Sequence, residues 1–166
     1  IIGLLTAFKL AKAGHQVTLL EKNVGSTEAS WAGGGIVSPM YPWRYAPPVS
    51  ALSQLAQAEY PLLAQELLEL TQINIELNQC GMLMLNTDDK RDAHVWAAYY
   101  QQKIASLSTT QLNELSPLIA PFNDALWLPQ VANVRNPRLL QASYFVEHSK
   151  GALLTLRFIY SCIHQR

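Results

Sequence analysis

The feature that most constrains this chain is the run from Ile1 to Glu21, where a nearly all-apolar segment passes through a glycine into a short segment closing on an acid. Between Gly3 and Ala13, the residues Leu4, Leu5, Ala7, Phe8, Leu10 and Ala11 leave a polar stripe of only Thr6, Lys9 and Lys12. So wide an apolar face predicts a helix buried on most sides. Gly14 ends it, since glycine tolerates the left-handed backbone at a helix C-terminus. Gln16-Val17-Thr18-Leu19-Leu20-Glu21 then reads as a short, mostly buried strand of the kind found in parallel sheets. Helix, glycine turn and strand in that order point to an α/β fold. Ile1-Ile2-Gly3 enters this pattern with no strand or capping residue ahead of it and is read as a truncation point.

The spacing of Gly3, Ala7, Gly14, Val17 and Glu21 matches the second half of a dinucleotide-binding βαβ unit. Three glycines join the first strand to the helix in such a unit, and the third, here Gly3, lets helix and strand pack closely. The pyrophosphate sits on unpaired N–H groups at the positive end of the helix. An acid ending the second strand, here Glu21, accepts hydrogen bonds from ribose hydroxyls. Taken alone, the same residues suit a packing glycine and a surface carboxylate equally well.

Residues 23–50 contain no periodic element, yet hold four of the eight glycines (Gly25, Gly33, Gly34, Gly35) and four of the nine prolines (Pro39, Pro42, Pro47, Pro48). A loop this long in a compact domain is typically functional or disordered. Within it, Ala29-Ser30-Trp31-Ala32-Gly33-Gly34-Gly35 would let backbone amides lie against a ligand. A flexible linker does not explain Trp31 or the following Pro39-Met40-Tyr41-Pro42-Trp43, because bulky aromatics imply packing.

These residues, Ile1-Ile2-Gly3-Leu4 through Glu21-Lys22 and then Ala29 to Gly35, resemble the amino-terminal part of the FAD-dependent amine oxidoreductases that include glycine oxidase and D-amino acid oxidase. The tryptophan form of the loop, continuing to Trp43, is most similar to the bacterial glycine oxidases of thiamine biosynthesis. Cys80-Gly81-Met82-Leu83, Glu114-Leu115-Ser116-Pro117 and Val134-Arg135-Asn136-Pro137-Arg138-Leu139 follow in the family's order, so the resemblance covers about residues 1 to 142.

The resemblance implies an FAD-binding Rossmann-like domain, incomplete here, with an inserted α+β substrate-binding domain. Residues 1–76 would begin the FAD domain, 77–131 the substrate domain, and 132–166 would return to the FAD domain. Gly3 would line the pyrophosphate site, Glu21 the adenosine ribose and Lys22 the adenosine neighbourhood. Ser30, Trp31, Ala32, Gly33, Gly34 and Gly35 would approach the pyrophosphate, ribityl chain or isoalloxazine ring, with Gly35 the one facing substrate. The implied reaction is hydride transfer from the substrate Cα to flavin N5, hydrolysis of the imine and release of peroxide. No catalytic residue is assigned, because the family's substrate-holding arginine and tyrosine lie in a later portion. From Ser143 to Arg166 the resemblance is expected to lapse, as a frameshift or damaged gene end would explain.

Composition sets limits on the partners. Twelve basic and twelve acidic residues give a net charge of zero, with no long-range field to gather nucleic acid. Only 14% of residues are charged, against roughly 25% in an ordinary soluble domain, which fits a buried domain or subunit interface such as a homo-oligomer's. Cys80 and Cys162 match neither a redox pair nor zinc-ligand spacing, which favours a reducing cytoplasm. Lys9, Lys12 and Arg157 interrupt the apolar runs short of a membrane span, and no basic leader precedes them. Scattered histidines and the Asp88-Asp89-Lys90-Arg91-Asp92 turn suggest no metal site. Arg135 and Arg138 suit either an anion at a helix start or a structural ion pair.

The remaining expectations are an amphipathic helix over 51–71, a strand over 81–85, a helix over 91–107, a short helix from 108 to 114, a strand over 125–128 and a helix opening at Asn136. Trp96, Tyr99 and Tyr100 read as packing residues of the 91–107 helix. Rival readings of the whole are a D-amino acid dehydrogenase of the same fold, a non-catalytic fragment that associates through uncovered apolar faces, and, less favoured, an NAD-binding domain.

Overall fold

The structure is a computed structural model that describes residues 1–21, 28–119, 122–149 and 154–158. In chain order its elements are α1 (Ile2–Lys12), β1 (Val17–Glu21), α2 (Ala29–Ala32), α3 (Pro47–Thr71), β2 (Met82–Leu85), α4 (Lys90–Tyr99), β3 (Ala105–Ser108), α5 (Thr109–Leu115), β4 (Asp124–Leu128), α6 (Asn136–Ser149) and β5 (Leu154–Phe158). Short 3-10 turns lie at Pro42–Arg44 and Pro117–Ile119. The chain divides into two compact units, one of Ile1–Gly35, Pro61–Glu76 and Val134 onward, the other of Ile36–Tyr60 and Leu77–Asn133.

In the first unit, Leu4, Ala7 and Phe8 recur at helical spacing and are the buried side of α1, which packs against β1 and α6. Ile2 and Leu10 remain exposed, so among the described residues α1 is covered on one side, not on most. Gly14 takes φ +88° and turns the chain into β1. β1 pairs in parallel with β5, from Val17 opposite Leu154 to Glu21 opposite Phe158. Its side chains alternate between half-buried and exposed, with Leu20 59% exposed, where continuous burial was expected. The reason is that α1 covers one face of the pair, and alternation is what a sheet covered on one face shows. Lys12 Nζ meets Glu66 Oε1 at 2.6 Å and fastens α1 to the second half of α3.

Two helices run further than the sequence predicts. α6, of which the opening turns are expected, continues to Ser149, and the β5 strand follows it. Once Asn136 and Pro137 open the helix, each added residue gains a backbone bond, so the helix outruns the point where the sequence stops looking familiar. α3 starts at Pro47, ahead of the expected Ala51, because Pro47 and Pro48 occupy the first turn, where a missing N–H leaves no bond unmade.

The second unit is built on a three-stranded antiparallel sheet in the order β2-β4-β3. Met82 pairs with Leu128 on one edge of β4 and Ala105 with Trp127 on the other. Met84, Ala93, Leu126, Leu128 and Val131 form its core, with Tyr41, Trp43, Met82, Trp96 and Ile104 packed around them. The expected helix over 91–107 is two elements: α4 ends at Tyr99, Gln101 takes φ +54°, and residues 105–108 become β3. Hydrogen bonding to the central strand β4 outweighs helix continuation there. Ser108 both closes β3 and caps α5, its Oγ accepting from the Gln111 N–H while Gln111 Oε1 accepts from the Ser108 N–H at 2.9 Å.

Gly81, just before β2, has φ +75°, and a Cβ there would fall 2.1 Å from Trp127 Cη2. Gly81→Ala combines a left-handed alanine with overlap on an indole, so it is expected to destabilise the chain by ~2–4 kcal/mol in a denaturant titration.

Across the same unit, Arg44 Nε donates to Asp89 Oδ2 at 2.6 Å. The guanidinium holds the Asp89 carboxyl down at about 2, with a smaller contribution from the Trp43 indole, whose N–H stays short of hydrogen-bond geometry. A folded-state value below the unfolded one means that this pair's stabilisation is present above pH ~4 and is lost as pH falls toward 2. Comparing denaturant midpoints of the parent and Asp89→Asn should give a gap that is constant near pH ~6 and closes through that acid window.

Candidate functional site

Because α1 turns tightly into β1 at Gly14 and packs along it, the N-terminal end of α1 and the C-terminal end of β1 share one edge of the first unit. The opening N–H groups of a helix have no partner within it and carry partial positive charge. At this edge a Cβ on Gly3 would stand 3.3 Å from Leu19 Cδ1, tighter than an ordinary contact, so the absence of a side chain sets how closely α1 approaches β1. Glu21 closes β1 at the same edge. Lys22, expected beside it, lies outside the described residues.

The chain comes back to this edge through α2. The Ile1 nitrogen lies 3.0 Å from Ser30 Oγ, which brings the serine to the start of α1. Trp31 and Ala32 complete the single turn of α2, their N–H groups bonding to the Glu28 carbonyl at 3.0 and 3.2 Å. The Trp31 ring is 49% exposed. Beyond it the three glycines differ in their surroundings. A Cβ on Gly33 would meet Asn136 Nδ2 at 2.6 Å, one on Gly35 would meet the Val134 carbonyl oxygen at 2.0 Å, and one on Gly34 would meet nothing within 4 Å. Gly35 also has φ +72°.

Val134, just ahead of α6, and Asn136, which opens it, hold the loop. The Val134 N–H donates to the Gly35 carbonyl at 2.9 Å, and Asn136 Nδ2 donates to the Gly33 carbonyl at 2.9 Å. Sequence reasoning gave Asn136 the role of a helix-capping residue and missed this latch, which joins positions 103 residues apart. No periodic signal spans such a distance.

Between Trp31 and α6 opens a cavity of about 500 Å³ whose walls include Trp31, Pro137, Leu140, Tyr144, Arg135 and Arg138. Both arginines turn to one carboxylate, Arg135 Nη1 at 3.3 Å and Arg138 Nε at 3.4 Å from Glu76 Oε1. Of their two sequence readings, the ion pair is the one the geometry contains. Among the described residues no cluster of His, Cys, Asp or Glu could hold a metal ion, and His94 is a surface residue 3.0 Å from Ser106 Oγ.

A helix packed closely on a parallel strand through a glycine, with a glycine loop latched beside its positive end, has the architecture of a dinucleotide-binding α/β domain. The chain belongs to the FAD-dependent oxidoreductase family, whose signature, described as FAD dependent oxidoreductase, matches residues 1–152. That match passes the expected limit at residue 142 and includes the whole of α6.

A glycine oxidase of Pseudomonas putida is 42% identical over 157 residues, covering 94% of this chain and 41% of its own length. A glycine oxidase of Pseudomonas aeruginosa is 46% identical over 143 residues, covering 86% of this chain and 39% of its own. The chain thus spans about two fifths of the curated relatives it matches. Among solved structures, glycine oxidase from Geobacillus kaustophilus superposes with a TM-score of 0.82 at 26% identity, over 95% of this chain and 44% of the other.

The residues present fit FAD, the cofactor named in the family's description. Gly3 gives the close helix approach, the start of α1 supplies unpaired donors, and the open side of Gly34 leaves backbone uncovered between two glycines that are crowded.

The contrast among the glycines is testable without a ligand. Gly35→Ala should cost about 2–4 kcal/mol in denaturant titrations, since its methyl would overlap the Val134 carbonyl. Gly34→Ala should stay within ~0.5 kcal/mol of the parent.

Proposed function

We propose that this chain carries the flavin-binding share of an FAD-dependent oxidoreductase that oxidises glycine or another small amino acid or amine. The observation that carries the reading is the shared edge where Gly3, Ser30 and Glu21 meet the start of α1 and the end of β1, in a chain 42–46% identical to glycine oxidases. In this reading Gly3 and the first N–H groups of α1 bind the pyrophosphate, and Glu21 accepts from the adenosine ribose. Lys22 stands in the adenosine neighbourhood. Ser30, Trp31, Ala32, Gly33, Gly34 and Gly35 approach the pyrophosphate, the ribityl chain or the ring, with Gly35 toward substrate. The chemistry that FAD supplies when bound is acceptance of a hydride from the carbon bearing the amine. The chain's own residues position the group and exclude water; none is assigned as acid or base.

On this reading residues 1–76 and 132–166 belong to the flavin domain and 77–131 to the substrate domain; unit boundaries at Glu76/Leu77 and Asn133/Val134 support it, whereas Ile36–Tyr60 group with the second unit. The substrate is a free small molecule met in a reducing cytoplasm, with neither nucleic acid nor membrane as partner, and the low charge supports a homo-oligomer. Among the described residues no helix is long and apolar enough to cross a membrane.

The test is the visible spectrum of the purified chain after loading with excess FAD and desalting. A retained flavin spectrum supports the reading, and Glu21→Gln should then weaken FAD binding about tenfold, the worth of one charge-assisted hydrogen bond. A colourless, associating product would favour the non-catalytic fragment instead. With the complete gene product, peroxide released under air on adding glycine separates an oxidase from a quinone-linked dehydrogenase.

A further inference from the structure

Five buried side-chain atoms have no hydrogen-bond partner among the described residues, and all five belong to the second unit: the indole nitrogens of Trp43 and Trp96, Thr87 Oγ1, Asp89 Oδ1 and Asp124 Oδ1. A polar atom buried without a partner has lost its hydration for nothing in return, so a group of them calls for a common cause. Thr87 is the sharpest case, since only 3% of it is exposed.

Four of the five share one place, the turn from β2 into α4. Thr87 and Asp89 lie in that turn, and Asp89 is the residue directly ahead of α4. The Asn86 N–H donates to the Asp124 carbonyl at 3.3 Å, and Lys90 Nζ meets Asp124 Oδ2 at 2.6 Å, so the first residue of β4 is tied to both ends of the turn. Trp43 comes from the 3-10 turn that packs on α4, and its indole stands close enough to Asp89 to help hold that carboxyl down.

The chemistry of these four atoms selects what can sit among them. Each carboxylate already has its other oxygen on a cation, Asp89 on Arg44 and Asp124 on Lys90, both at 2.6 Å. The local charge therefore sums to zero, and a metal ion would also face the positive edge of the Trp43 N–H. An anion would face two carboxylate oxygens. What suits two acceptors, one donor and a hydroxyl is a small neutral group that both donates and accepts. The atoms lie too deep for anything packing on the surface to supply it. Water is such a group, and a buried water makes about three hydrogen bonds.

We propose that the β2–α4 turn encloses an internal hydration site, in which water accepts from the Trp43 indole N–H and donates to Asp89 Oδ1 and Asp124 Oδ1, with the Thr87 hydroxyl as a further neighbour. The site joins three pieces of chain: the 42–44 turn, the 86–89 turn and the start of β4. Through Trp43 it also restrains the segment in which Tyr41 takes φ +50°, a left-handed conformation that a bulky residue holds only where its surroundings impose it. The inference concerns the second unit alone and does not rest on flavin binding.

The test reads contact with water at the Trp43 indole. In the isotopically labelled chain, cross-relaxation between water and the four indole N–H protons is recorded in the laboratory and rotating frames, with Trp43 assigned from its neighbours. The expected result is a Trp43 cross-peak of opposite sign in the two frames, the mark of a water that stays in place while the chain tumbles. Proton exchange gives the same sign in both. Thr87→Val, which keeps the shape and removes the hydroxyl, gives a second readout. Beside a hydration site the valine sets a methyl against water, and the denaturant midpoint falls. Beside a merely unpaired hydroxyl the same change relieves a penalty, and the midpoint rises. A parent chain without the Trp43 cross-peak, or a Thr87→Val midpoint at or above the parent's, would overturn the proposal.

Discussion

The Val134 carbonyl leaves no room for a side chain at residue 35, and the form of the glycine loop follows from that exclusion. With Gly35 held at positive φ against it, the backbone bond from Val134 forms and the Asn136 amide reaches back to Gly33. Gly34, pinned on both sides, is left with its own flank open. A loop of three glycines is ordinarily the most mobile kind of backbone, since each residue loses more freedom on ordering than any other. Here two hydrogen bonds and one steric exclusion restrict it, so the cost of ordering is met in the folded protein before any ligand arrives.

A similar economy of atoms operates at the start of the chain. One missing Cβ at Gly3 decides how near α1 comes to β1, and Ser30 lies at the same helix end beside the Ile1 nitrogen. The two compact units rest on different physics. The first depends on backbone approach around glycines, and the second on aromatic volume around a three-stranded sheet, reinforced by the exposed Arg44–Asp89 pair.

Much of this was legible in the residues themselves. Leu4, Ala7 and Phe8 at helical spacing, the glycine at 14 and the strand closing on Glu21 define their elements with local information alone, and Gly81 to Leu85 and Ala125 to Leu128 did the same for two strands. β3 was hidden because no glycine or proline separates Tyr99 from Ala105, and nothing local reports that β4 offers an unpaired edge there. The tail of α6 was misjudged for the opposite reason: the sequence ceased to look familiar while the backbone went on being helical. In the candidate site, the small residues of the loop were visible as a group, but which glycine is crowded and which is open depends on Val134 and Asn136, far off in sequence.

The Asn136 latch also has a consequence during synthesis of the chain. A ribosome must release residue 136 before the loop at 33–35 can be fastened, and it must release residues 154–158 before β1 gains its parallel neighbour. Until then α1, β1 and Trp31 wait as an emerging segment with apolar surface and the Lys12–Glu66 pair as a long-range tie, a condition in which nascent chains recruit chaperones. The second unit, whose strands lie within residues 82–128, is complete earlier. Between α1–β1 and the second unit, the order of assembly is therefore the reverse of the order of translation.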